Sequence, residues 1–233
     1  MPVAIITGAS KGLGRALGAA LAGRGWDLVL DARTDATLRE AARELGGRGG
    51  RVRAVPGDVT DAGHRADLVA AARAFGGLDL LVNNASALGA EPLVRLDAQA
   101  LDGLRQALET NVVAPLGLVQ EALPLLRASR AGGAVVNVSS DAAAEAYATW
   151  GGYGASKAAL DQLTAVLAEE EPGLRVWAVD PGDMRTDLYQ AAVPTDDDTG
   201  RPLPETVVPA FLRLLDERPA SGRYAAPSLL VAS

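Results

Sequence analysis

The chain has 233 residues, 48% of them hydrophobic and 22% charged, which suffices for one substantial core and is short for two domains. A formal net charge of -7 argues against nucleic acid or an anionic membrane as partner, since no cationic surface accumulates to neutralise phosphates. Cysteine is absent, which removes disulfides, thiolate metal sites and a cysteine nucleophile; the one histidine, His64 in "TDAGHRADL", reads as a solvated residue at a polar helix start, not a triad member.

The first residues, "MPVAIITGAS", lack the basic region and long apolar run of a signal peptide. No later apolar stretch is long enough to span a membrane, so a cytoplasmic location is expected. "VAIIT" (Val3 to Thr7) is a short β-branched run without polar alternation, the pattern of a strand covered on both faces. It leads into "TGASKGLG", whose glycines Gly8, Gly12 and Gly14 precede a helix marked by Leu13, Leu17 and Leu21. Such glycines allow a sharp turn and close approach to a pyrophosphate, whose charge the free amides of a helix N-terminus accept. They also serve simply to close a helix onto a sheet.

"DLVLDA" (Asp27 to Ala32) is the second strand, and Leu38, Ala42 and Leu45 mark a helix after the capping pair Thr34-Asp35. "RVRAV" (Arg51 to Val55) is the third strand. The following "PGDVT" places Asp58 to accept hydrogen bonds from an adenine amine, or to cap the helix of Leu68, Ala72 and Phe75 that follows Thr60-Asp61. "DLLVN" (Asp79 to Asn83) is the fourth strand and ends in "NNAS". Leu101, Leu104, Leu108, Val112, Leu116, Val119 and Leu123 mark one long helix, with a kink expected at Pro115. "AVVNVS" (Ala134 to Ser139) and "LRVWAV" (Leu174 to Val179) complete six strands.

This alternation predicts a doubly wound parallel α/β sheet, Rossmann-like, in a single domain over residues 1–233, with its ligand beyond the carboxyl ends of the strands. The polar, turn-rich "VPTDDDTGRPLPE" suggests a substrate lid within residues 186–217. No metal site is expected from Asp196, Asp197 and Asp198, because consecutive carboxylates rarely converge on one ion.

Lysine stands at only two positions, Lys11 and Lys157, in a chain that otherwise uses arginine. Lys157 falls four residues after Tyr153 in "YGASK", so on a helix the two are neighbours one turn apart. Lowering a phenol pKa from about 10 to about 7 takes roughly 4 kcal/mol of preferential stabilisation of the phenolate. One ammonium about 4.5 Å away at an effective dielectric of about 20 supplies roughly that amount. A compact ammonium can also donate several hydrogen bonds to a ribose, which a planar guanidinium would do from the wrong place.

Taken in order, "TGASKGLG", "NNAS", "YGASK" and "PGDMRT" (Pro181 to Thr186) resemble the TGxxxGxG, NNAG, YxxxK and PG motifs of the short-chain dehydrogenase/reductase family. The resemblance covers essentially the whole chain. It implies Tyr153 as general acid in carbonyl reduction and base in alcohol oxidation, Ser140 rather than Ser139 as holder of the substrate oxygen, and Lys157 as partner of both tyrosine and nicotinamide ribose. Asn111 would anchor a water in a proton relay. Cofactor contacts are implied for Gly8, Ser10, Lys11, Gly12, Leu13 and Gly14 in the first turn, for Arg33, and for Asp58 and Val59. Further contacts are implied for Asn84, Ala85 and Ser86, for Tyr153 and Lys157, and for Pro181, Gly182, Met184 and Thr186.

The family's acidic discriminator position falls on Ala32, followed by Arg33, and Lys11 lies in the glycine turn, so NADP(H) is expected over NAD(H). Asp31 is the contrary signal, but one residue earlier on the strand it should point to the opposite face. Ser86 replaces the family's glycine and adds a side chain near the nicotinamide position. Leu88, Tyr147, Trp150, Met184, Leu188 and Tyr189 are expected at the pocket mouth, facing a small carbonyl or alcohol substrate. The ending "SGRYAAPSLLVAS" lacks the family's glycine-rich close, which favours a homodimer through the long helices over a tetramer. The alternatives are a cofactor-binding sensor without turnover and a methyltransferase loop, which has no use for the YxxxK pair.

Overall fold

The computed structural model describes residues 1–47 and 49–230. β1 (Val3–Ile6) is apolar and buried at every position. α1 (Gly12–Gly23), β2 (Asp27–Ala32), α2 (Asp35–Leu45), β3 (Val52–Pro56), α3 (Ala62–Phe75) and β4 (Leu80–Asn83) follow in strict alternation. Beyond them lie α4 (Leu101–Leu108), α5 (Ala114–Arg127), β5 (Ala134–Val138), α6 (Gly151–Glu170) and β6 (Arg175–Asp180). The chain closes with α7 (Asp187–Ala192), α8 (Pro204–Glu217), β7 (Gly222–Ala225) and α9 (Ala226–Leu230).

The strands form one parallel sheet in the order β3-β2-β1-β4-β5-β6-β7. Because side chains alternate along a strand, each strand feeds two cores. Ala4, Ile6, Leu28 and Leu30 pack with Leu17 and Leu21 of α1, Leu38 of α2 and Phe211 of α8. Val3, Ile5, Val29 and Leu81 pack with Leu68 of α3 and Leu118 and Leu126 of α5 on the other face. Each such leucine contributes about 1.5–3 kcal/mol by leaving water. The sheet grows one way from β1 to β3 and the other way from β4 to β7, so the loops after neighbouring β1 and β4 part and leave a crevice at the carboxyl edge.

Two elements depart from the expected pattern. The long helix is interrupted by a π-turn at Glu109–Val113, and Pro115 sits in the first turn of α5 instead of at a kink of its own. Proline has no amide hydrogen for the carbonyl of Asn111 four residues back, so the regular ladder cannot continue through this point. The other departure is β7, a seventh strand whose sequence "GRYA" carries no apolar run; among the described residues it is an edge strand paired with β6 alone. Of the C-terminal segment, residues 231–233 lie outside the described residues. Among the described residues no helix is long and apolar enough to cross a membrane.

Candidate active site

The carboxyl edge of the sheet opens into a cleft of about 1410 Å³. At its base the ends of β1 and β4 are tied together. Thr7 Oγ1 accepts from the amides of Asn84 at 2.9 Å and Ala85 at 3.0 Å, while Asn84 Nδ2 donates to the carbonyls of Thr7 at 2.9 Å and Gly8 at 3.2 Å. Asn84 therefore shapes the glycine turn itself. Gly8 has φ 63°, and a Cβ added at Gly14 would lie 2.5 Å from the Gly8 carbonyl oxygen, so only glycines let α1 start this close to the strand. The N-cap position, Lys11, makes no side-chain capping bond, which leaves the first amides of α1 to an anion.

Nearly all residues expected at the cofactor line this cleft, from Gly8, Ser10, Lys11, Gly12 and Leu13 through Arg33, Asp58 and Val59 to Asn84, Ala85, Ser86, Pro181, Gly182, Met184 and Thr186. Gly14 is buried behind the turn, and its role is steric. Lys11 Nζ is 2.7 Å from Asp187 Oδ2 in an exposed pair, which contributes little and can open for a stronger anion. Asp58 Oδ1 accepts from the amide of Thr60 at 2.9 Å and its hydroxyl at 2.8 Å, so one oxygen shapes the turn into α3. Burial pushes the Asp58 carboxyl up, but the Thr60 bonds and the charges of Arg33 and His64 outweigh it and hold it below the usual value.

His64 is not solvated. Its side chain is 8% exposed, and Nε2 lies 2.7 Å from Oδ1 of Asp31, itself 2% exposed. The helix-start pattern is real, since Asp61 caps α3 by accepting from the His64 amide, but that same cap turns the ring inward under β2. Asp31 does not simply turn away from the cleft: it is buried at the cleft wall, with Oδ1 on His64 and Oδ2 accepting from the Gly8 amide at 3.4 Å.

The YxxxK pair lies on the buried face of α6, with Tyr153 6% and Lys157 2% exposed. Gly154 between them makes this approach feasible. A Cβ there would lie 2.5 Å from the carbonyl oxygen of Ala142, so α6 abuts the short turn that carries Ser140. Lys157 Nζ is 5.6 Å from the centroid of the Tyr153 ring and donates to the Val138 carbonyl at 2.7 Å. Burial lowers the Lys157 pKa to about 8, against the charge of Asp161. Burial likewise pushes the Tyr153 phenol up, together with the charges of Asp141 and Asp180, although the hydroxyls of Ser86 and Ser140 favour its anion. Desolvation is the largest of these influences and leaves the phenol pKa above its ordinary value.

Asn111, presented by the π-turn, does not line the cleft. Its Oδ1 accepts from the Ala87 amide at 2.8 Å and the Ser86 hydroxyl at 3.2 Å, and its Nδ2 donates to the Ala87 carbonyl and to Ser156 Oγ, each at 2.8 Å. It stitches the loop after β4 to α6. Ser86, in place of glycine, turns its hydroxyl into this network. Ser140 Oγ donates to Asp141 Oδ1 at 3.0 Å and accepts from the Ala142 amide at 3.2 Å.

Leu88, Tyr147, Trp150, Met184, Leu188 and Tyr189 all line the cleft, Tyr147 and Leu188 from exposed positions and Leu88 from a buried one. Tyr147 donates to Asp141 Oδ2 at 3.1 Å and Glu145 Oε2 at 2.8 Å, and Trp150 meets Tyr153 edge to face at 5.7 Å. Arg201 stacks on the Tyr189 ring at 4.1 Å and pairs with Asp183 and Asp196, which pins the segment after α7. Asp196 thus faces Arg201 and Tyr189, and Asp197 caps Thr199. Sequence reading missed the buried bonds from Asn83 Nδ2 to Asn137 Oδ1 and from Asn137 Nδ2 to Thr164 Oγ1, which link β4, β5 and α6 at 2.8 Å each. The clustering of asparagines near strand ends was the available signal.

A family model described as short chain dehydrogenase matches residues 2–197. Sepiapterin reductase from Xenopus laevis is 37% identical over 198 residues, covering 81% of this chain and 75% of its own length. L-xylulose reductase from Bos taurus is 34% identical over 199 residues, covering 81% and 74%. Among solved structures, a short chain dehydrogenase from Shigella flexneri complexed with NADP superposes with a TM-score of 0.89 at 29% identity over 97% of each chain.

Proposed function

The chain belongs to the short-chain dehydrogenase family and is an oxidoreductase, and from that premise we propose that it moves hydride between NADP(H) and a carbonyl or secondary alcohol. The observation that carries the reading is the buried amine of Lys157 one turn from the buried phenol of Tyr153, with the hydroxyls of Ser86 and Ser140 facing that phenol. A dinucleotide suits the donors present: uncapped amides at the start of α1 for a pyrophosphate, and Arg33 on the cleft for a 2'-phosphate.

The bound cofactor supplies the hydride. Tyr153 gives its proton to the substrate oxygen in reduction and takes it back in oxidation. The raised phenol pKa keeps the proton on Tyr153 in the resting site, and the charge of Lys157 favours the phenolate as that proton leaves. Ser140 holds that oxygen, turning its hydroxyl from Asp141 to do so. Lys157 binds ribose hydroxyls and stabilises the phenolate left behind, and Asn111 positions the loop of Ala85–Ala87 against α6. The reductase names of the two relatives support reduction as the working direction.

The mouth residues from Leu88 to Tyr189 form the substrate wall. Val207, Val208, Phe211 and Leu214 of α8 are buried in the core, so the proposed lid narrows to residues 186–203. Exposed Val113, Leu116 and Val166 support pairing of two copies beside α5 and α6, in the cytoplasm. Calorimetric titration with NADPH, NADH and S-adenosylmethionine, followed by a carbonyl panel read by NADPH absorbance, tests the reading. Tight NADPH binding with turnover supports it, and binding without turnover of any carbonyl would favour a sensor.

A further inference from the structure

The pair of Asp31 and His64 has no part in the chemistry above, yet it underlies the adenosine half of the cleft. Asp31 Oδ1 holds His64 Nε2 at 2.7 Å, and Asp31 Oδ2 accepts from the amide of Gly8 at 3.4 Å, in the glycine turn itself. The Asp31 carbonyl also accepts from the Ala9 amide at 2.8 Å. On the other side the ring packs under Gly57, where a Cβ would lie 2.3 Å from Nδ1, and the Gly57 amide donates to Ala32 at 3.1 Å. One buried acid–base pair thus touches both the turn that would receive a pyrophosphate and the loop that carries Asp58.

We propose that His64 and Asp31 form a proton-gated positioning pair that sets the affinity for NADP(H) and its margin over NAD(H). The proposal rests on the cofactor reading above. With its proton, the pair is neutral overall; without it, a buried carboxylate of net charge -1 lies beneath the phosphate-binding turn. The charged groups that face the pair are Asp58 from the loop after β3 and Asp61 and Asp67 from α3, with Arg33 opposite Asp58. The bond to Asp31 raises the His64 pKa above its ordinary value despite burial. The proton is therefore held to higher pH than on an ordinary imidazole and is lost as pH rises through that raised value. Losing it opposes both nucleotides through their pyrophosphates, and NADP(H) more, because its 2'-phosphate adds about -1.5 to -2 charges.

Binding and protonation are reciprocal, so NADPH must also raise the pKa of His64. Because the chain has one histidine, its ring proton signals in NMR are unambiguous. Titrating them from pH 6 to 9 in the wild-type protein, free and saturated with NADPH or NADH, tests the proposal. The expected result is an upward shift of about half to one pKa unit with NADPH, equal to a three- to tenfold loss of affinity across the titration, and a smaller shift with NADH. Above pH 7, where the 2'-phosphate is almost fully charged, the NADPH to NADH affinity ratio should fall in wild type and stay nearly flat in His64→Gln and Asp31→Asn. An unmoved His64 titration in a complex that does form, or the same pH slope in either folded variant, would overturn the proposal. Failure of NADPH to bind at any pH would instead overturn the cofactor reading.

Discussion

Replacing Lys157 with methionine removes the charge of a side chain that is 2% exposed while keeping most of its length. Burial lowers its pKa from 10.5 to about 8, and each unit is worth about 1.4 kcal/mol, so at pH 7 the folded chain holds this ammonium at a cost of about 3 kcal/mol. Between the two pKa values the unfolded chain binds a proton that the folded one does not, so this cost is relieved as pH rises from about 8 to about 10.5. Losing the bond to the Val138 carbonyl offsets about 1 kcal/mol of the gain. Lys157→Met should therefore be about 2 kcal/mol more stable than wild type in urea unfolding at pH 7, with the advantage gone by pH 10.5. A variant equally destabilised at both pH values would refute the reasoning, since it would mean the amine is not held against its charge.

Arg33→Ala should weaken NADPH binding by about ten- to a hundredfold, the range of a charged hydrogen bond, and NADH binding by less than about twofold; equal losses in fluorescence titrations would remove the 2'-phosphate assignment. Gly154→Ala places a methyl group 2.5 Å from the Ala142 carbonyl oxygen and should cost about 1–3 kcal/mol in thermal unfolding while lowering kcat. Gly23→Ala in α1, with nothing within 4 Å of the new Cβ, should be neutral or slightly stabilising, and similar behaviour of the two variants would contradict the proposed close approach of α6 to the Ser140 turn.

What the sequence revealed follows from where each signal is local. The strands of the buried sheet are unbroken apolar runs, and the Tyr153–Lys157 contact follows from helical spacing alone, so both were legible. β7 was not among the runs because a short, half-buried edge strand with an exposed Arg223 needs no apolar pattern. The π-turn at Asn111 was hidden because one inserted residue barely disturbs a leucine period that continues through α4 and α5. His64 and Asp31 are separated by 33 residues, and nothing near His64 reports that α3 turns it inward. Spacing likewise gives the neighbour of the Tyr153 phenol but not its burial, which is the largest influence on it and pushes it up.

The central claim is that Tyr153 donates the proton while the cofactor is held by other groups. Tyr153→Phe, measured for NADPH affinity by fluorescence and for carbonyl-dependent NADPH oxidation, tests it most directly. The account predicts affinity within about threefold of wild type and turnover lowered by about 10²- to 10⁴-fold, the usual contribution of a positioned acid. Turnover near the wild-type rate in that variant would contradict it.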